Sequence, residues 1–126
     1  VVRRRRVLGG ETGMVTAETA VVLPVLLLVL AGAVAAVVVV GAQLRCVDAA
    51  REAARAAARG EETAVVLELA ARAAPDGATT TVEPDGDRVR VRVNARIAPL
   101  GPVPMAVTVS AEAVALAEPG GAGEPG

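Results

Sequence analysis

Few side chains in this chain could carry chemistry. It has no histidine and no lysine, a single serine (Ser110) and a single cysteine (Cys46). No Ser–His or Cys–His pair can be assembled from that set, and no His/Cys cluster can hold a metal ion. Carboxylate pairs such as Glu61–Glu62 remain. They read as a solvated helix start, where negative charge meets the positive end of the helix dipole. The chain therefore reads as no enzyme, with no metal and no cofactor. Two features are left that could act on something else. A lone acid, Glu18, stands at the head of a long apolar run. Further on, Arg88, Arg90, Arg92, Asn94 and Arg96 fall on every second residue and would share one face of a strand.

The setting of Glu18 is a membrane segment. Thr19 to Ala42 carries no charge, and a spanning helix needs about 20 residues. Arg3, Arg4, Arg5 and Arg6 precede the run, which predicts a cytoplasmic N-terminus, a single pass through the cell membrane and an extracytoplasmic C-terminal part. An acid at mid-bilayer costs roughly 2.5–3.5 kcal/mol, less near the interface. At a helix start the dipole offsets part of that cost. Pro24 falls in the second turn of the run and is expected to bend it rather than end it. Gly32, Ala33, Ala35, Ala36 and Gly41 offer a small-residue surface to another helix. Gly9, Gly10 and Gly13 disfavour helix, so residues 1–13 are expected to be a flexible leader open to a protease. Two export signals are also conceivable, a twin-arginine type at Arg5-Arg6 and a signal-peptidase site at Ala33-Val34-Ala35. Cutting at the second would leave Val37 to Val40 at the new terminus, and a secretory apolar region spans only about 7–15 residues.

Beyond the run the pattern changes twice. Gln43 to Arg59 is rich in alanine and free of proline and glycine, so the helix is expected to continue over residues 14–59. At about 1.5 Å per residue that is about 69 Å, against a hydrocarbon core of about 30 Å. The excess reads as a stalk, braced by Asp48–Arg51 and Glu52–Arg55 pairs. Gly60 interrupts it, and Glu61 to Ala74 forms a short second helix ended by Pro75-Asp76-Gly77. Three strands follow: Ala78–Glu83, Arg88–Ile97 and Met105–Leu116, the last two strictly alternating. The fold class is α+β: a long N-terminal transmembrane and stalk helix, a short second helix and a small antiparallel sheet whose apolar face covers that second helix. Residues 60–118 make up the small extracytoplasmic part, and 119–126 a disordered tail.

Composition narrows the partners. Phe, Trp and Tyr are absent, so a core built from Ala, Val and Leu would be thin and no platform exists for stacking nucleic-acid bases. The arginine face of Arg88–Ile97 reads as a solvated sheet face paired locally with Glu83, Asp85, Asp87 and Glu112, with an acidic surface, anionic lipid or another subunit as other occupants. Nucleic acid is excluded as a partner. Cys46 has no second cysteine to pair with and reads as a small apolar residue buried against a helix.

Gly13-Met-Val-Thr-Ala-Glu18, the apolar residues after it, and Gln43-Leu-Arg-Cys-Val-Asp-Ala-Ala-Arg-Glu-Ala-Ala-Arg55 resemble a TadE-like protein of the high-GC actinobacterial type. Such proteins are minor pilins of the tight-adherence (Flp) type IV pilus system. The resemblance covers Gly13 to Gly60 and is weak over the strands. It implies cleavage by a prepilin peptidase between Gly13 and Met14, loss of residues 1–13, and a membrane-anchored pseudopilin stage. It also implies that Glu18 is the assembly glutamate, meeting the free N-terminal amine of a neighbouring subunit. Partners implied are the peptidase, other pilin or pseudopilin subunits, the assembly platform and membrane lipid, in a role in pilus assembly, adherence or secretion. Thr19 stands where this pilin class often carries an aromatic residue, which favours a minor, initiating or base-associated subunit over a major pilin. The other reading is an unprocessed single-pass membrane protein whose β part binds a partner.

Overall fold

The computed structural model describes the backbone of residues 5–118 and the side chains of residues 13–118. The Arg3–Arg4 part of the basic cluster and the 119–126 tail lie outside the described residues. Five elements follow in order: α1 (Arg5–Ala58), α2 (Thr63–Ala73), β1 (Thr79–Asp85), β2 (Arg88–Ile97) and β3 (Val107–Leu116). The strands form one antiparallel sheet in the order β1-β2-β3. The architecture is α+β, as the patterning predicts. The chain divides into two compact units within α1, one up to Ala35 and one from Ala36 onward.

In the first unit α1 presents its large apolar side chains at the surface. Val15, Val21, Leu23, Leu26, Leu28 and Leu30 are all exposed. Helix persists through Pro24, and it also persists through Gly9, Gly10 and Gly13, where a flexible, non-helical leader is expected from the glycines. Each glycine costs about 1 kcal/mol relative to alanine. Extending an existing helix needs only one residue fixed per added bond, so scattered glycines do not have to stop it.

The second unit holds the core, and here the sheet covers more than the second helix, where it is expected from the sequence. Ala42, Cys46, Ala49, Ala50, Ala53 and Ala56 recur at three- and four-residue intervals on α1 and are buried. They join Val66, Ala70 and Ala74 from the α2 region and Val91, Val93, Ala95 and Val109 from the sheet in a single cluster. The apolar sheet face thus packs on α1 as well as α2, and the alanine stripe is part of the core. Alanine's small side chain lets a sheet and a second helix approach one helix together. The largest fully buried side chains are only Val66, Val91, Val93 and Cys46. The core is as thin as the composition requires.

Three polar ties fix this packing. The Gln43 amide donates to Ser110 O at 2.8 Å, Arg45 donates to Ala74 O at 3.1 Å at the end of α2, and the Glu118 N–H donates to Ala58 O at 2.9 Å. Gly60, at φ 79°, closes α1: its N–H reaches Ala57 O and that of Glu61 reaches Ala56 O. The β1–β2 hairpin turns on Gly86 and Asp87. Only Gly86 has a positive φ (65°), the pattern of a II′ turn. β1 runs through Pro84 and Asp85, two residues further than the sequence indicates, because both still pair with β2.

Candidate functional site

Gly13, Met14 and Glu18 all lie on the exposed surface of α1. A side chain added at Gly13 would meet nothing within 4 Å, so the fold itself sets no demand for glycine there. Met14 is 74% exposed. One turn away from Glu18 on either side the helix carries Met14, Val15, Val21 and Val22. Its carboxylate therefore has no basic neighbour on its own face and makes no ion pair among the described residues. Thr19, next to it, turns its hydroxyl back to Val15 O at 2.8 Å. The segment presents one negative charge at the edge of an uncharged apolar surface.

Cys46 and Ser110 belong to the second unit. Cys46 is fully buried in the core, where it packs as a small apolar residue. Ser110 is exposed on β3. Among the described residues no group of three or more His, Cys, Asp or Glu side chains could hold a metal ion.

The arginine face is largely neutralised on the spot. Arg92 donates to Glu112 at 2.6 Å, and Arg90 to Asp85 at 3.2 Å. The Arg90 Nε also lies 3.4 Å from Glu112 Oε1, close enough for attraction but without hydrogen-bond alignment, so this buried N–H stays unsatisfied. The hydrogen bond from Arg92 holds the Glu112 carboxyl below its ordinary range, with Arg90 and Arg92 charge adding to the effect and partial desolvation opposing it. Arg88 and Arg96 form no ion pair among the described residues. Of the acids expected to serve this face, Asp85 and Glu112 do so, while Glu83 and Asp87 do not bridge to it. The expected Asp48–Arg51 and Glu52–Arg55 pairs do not form either; Arg59 pairs with Glu61 instead, at 2.6 Å. Exposed three-residue pairs gain too little to fix two long side chains. Gln43 and Arg45 were not legible as structural ties, although two polar groups opening an alanine stripe are a signal that something polar faces them.

Comparison with known proteins agrees with the first part of the chain and extends past it. A family model described as "TadE-like protein" matches residues 13–55. The protein named "Apoptosis inhibitor Rv3655c" of Mycobacterium tuberculosis (strain ATCC 25618 / H37Rv) is 41% identical over 103 residues, which cover 82% of this chain and 78% of that one. No solved structure matches. The similarity to the mycobacterial chain reaches beyond the helix into the domain.

Proposed function

The chain belongs to the TadE-like family, and on that premise we propose that it is a minor pilin or pseudopilin subunit of a tight-adherence pilus machine. In this reading a prepilin peptidase cuts between Gly13 and Met14, the N-terminal helix anchors the product in the cell membrane, and the remainder faces away from the cytoplasm. Family membership and one apolar helix long enough to cross a membrane support the anchored, pilus-associated part. The finer part rests chiefly on Glu18, a lone acid with no ion pair among the described residues, beside an uncharged helix. Such a charge is costly in lipid and useful only where another subunit supplies its counter-charge. The freed amine of Met14 on a neighbouring subunit is that counter-charge. The protein is then a structural component and no enzyme, and its partners are the peptidase, sister subunits and the assembly platform.

Glu18→Gln tests this pairing. The amide keeps the size and most of the hydrogen bonding, but leaves a neighbour's amine without its partner, a loss on the order of 3–5 kcal/mol for a buried pair. Membrane insertion and cleavage are expected to match wild type, while co-purification with other pilus subunits falls sharply. Undiminished co-purification would remove Glu18 from assembly.

A second reading is supported by α1 running unbroken through Gly13, because a peptide bond inside an intact helix is not presented to a protease in extended form. In it the chain stays unprocessed, and its outer domain binds a partner. An apoptosis-inhibiting role like the one named for the mycobacterial relative would belong here, acting through the surface of residues 60–118.

A further inference from the structure

β3 ends the sheet on one side, and the register shows which of its backbone groups face outward. The Ala117 N–H donates to Asp87 O at 2.7 Å, and these residues stand opposite each other one step past the Arg88–Leu116 pair. Bonded and unbonded pairs alternate along an antiparallel ladder. The odd-numbered residues of β3 therefore bond to β2, while Thr108, Ser110, Glu112, Val114 and Leu116 turn their N–H and C=O groups to the open edge. Two contacts agree with this: the outward Ser110 carbonyl accepts from Gln43, and the outward N–H of Glu118 donates to Ala58 O. Between those ties the backbone groups of Glu112, Val114 and Leu116 have no hydrogen-bond partner among the described residues.

The two edges of the sheet are built differently. The same alternation, carried through β2, turns Pro84 of β1 outward, opposite Val89. That edge has seven residues and lacks a donor at Pro84, features that keep an edge from pairing with another chain. β3 has ten residues, no proline, an unbroken register and one charge, Glu112, which Arg90 and Arg92 already hold. It is the edge left open to an added strand.

What lies beside that edge selects the strand. Arg51 and Arg55 of α1 line an open groove of about 190 Å³ together with Ala54, Ala113, Val114 and Ala115. Both arginines are exposed, and neither forms an ion pair among the described residues. The side chains of an added strand would point alternately to this groove and to the outer sheet face. Arg51 and Arg55 stand four helical residues apart, about 6 Å, and side chains on one face of a strand repeat at about 6.7 Å. On the outer face the neighbours would be Val114 and Leu116, 46% and 64% exposed. The matching sequence has acids at alternate positions and apolar residues between them. A second copy of β3 does not supply it, because its one acid, Glu112, lies on the outer face with Arg90 and Arg92.

We infer that the 112–116 edge of β3 is a docking site for an extended acidic segment of another protein, which adds as a fourth strand with its carboxylates toward Arg51 and Arg55 and its apolar residues beside Val114 and Leu116. The site lies wholly in the second unit, so it stands whether residues 1–13 are cut or kept.

Amide exchange on the isotope-labelled full chain in detergent micelles tests it. The probes are a short end-capped peptide alternating glutamate and valine and its lysine–valine counterpart, with protein-free micelles as the blank. The glutamate peptide is expected to bind and to slow exchange at Glu112, Val114 and Leu116 while leaving Thr80 and Val82 on the β1 edge unchanged. The lysine peptide should bind several-fold more weakly, and Arg51→Gln combined with Arg55→Gln should remove most of that difference. Both arginines are exposed, so the fold should survive their loss. Val114→Pro deletes an outward donor, as Pro84 does on β1, and should abolish the added protection; persistent protection at Val91 and Val93 checks that the sheet is intact. Equal binding of the two peptides, binding that leaves the three amides unprotected, or no binding overturns the proposal. Protection of the same amides in the protein alone, rising with its concentration, would assign the edge to a second copy of the chain and also overturn it.

Discussion

Between Val15 and Val34 α1 leaves its large side chains exposed, Leu26 at 57% and Leu28 at 73%, whereas from Cys46 to Ala56 it buries alanines to 0–2%. A water-soluble chain would do the reverse. Hiding a leucine from water stabilises by about 1.5–3 kcal/mol, and an alanine offers much less area. The leucines and valines of the first stretch are therefore matched to surroundings other than water, as a helix able to cross a membrane would be. In the second stretch the alanines are spacers, chosen for the closeness they allow to Val66, Val91, Val93 and Val109. One helix thus carries bulk where its side chains are exposed and smallness where it packs with its own sheet.

Reversing each choice should break one half and spare the other. Leu28→Arg puts a charge in mid-span at a cost of about 2.5–3.5 kcal/mol. The inserted fraction should fall while the unfolding midpoint of the detergent-solubilised protein stays at the wild-type value; a fall in that midpoint would place Leu28 in the folded core. Ala53→Leu should do the opposite. Added bulk at a fully buried contact destabilises by about 1–3 kcal/mol, seen in urea unfolding, with insertion unchanged. If Ala53→Leu is tolerated, the alanine stripe is not the close contact described here.

The smallest effect belongs to the outer sheet face. Glu112→Gln should barely change stability at neutral pH, because its ion pairs are exposed. The pH dependence sharpens the test. The folded carboxyl is held below its ordinary range, chiefly by the Arg92 hydrogen bond. Its contribution is therefore present above the unfolded carboxylate pKa and is lost as pH falls through the lowered folded value. Wild type should show that small extra loss in an acid titration of the melting temperature, and Glu112→Gln should not.

How much was legible in the sequence follows the same division. β2 reads to the residue, Arg88–Ile97, because strict alternation of valine and arginine admits only one face for the core. The apolar run is equally plain. The stretch 43–59 reads as helix but not as the element the sheet packs on, since alanine is helix-forming in water and in a core alike and gives no sign of which it faces. Its burial is decided by valines tens of residues away. The glycines before the run mislead for a related reason: local propensity is a weak prior once a long helix is already formed. The contact of Gln43 with Ser110, which ties α1 to β3, joins residues 67 apart and has no signature in either segment.

The central claim, a processed and membrane-anchored pilus subunit, meets its most direct test in the N-terminal mass of the protein extracted from membranes of cells that contain a prepilin peptidase. A chain beginning at Met14 is expected, and a bulky residue in place of Gly13 is expected to abolish the cut while membrane insertion persists. A mature chain that still carries Arg3 to Arg6, or one that begins near Val37, would contradict it.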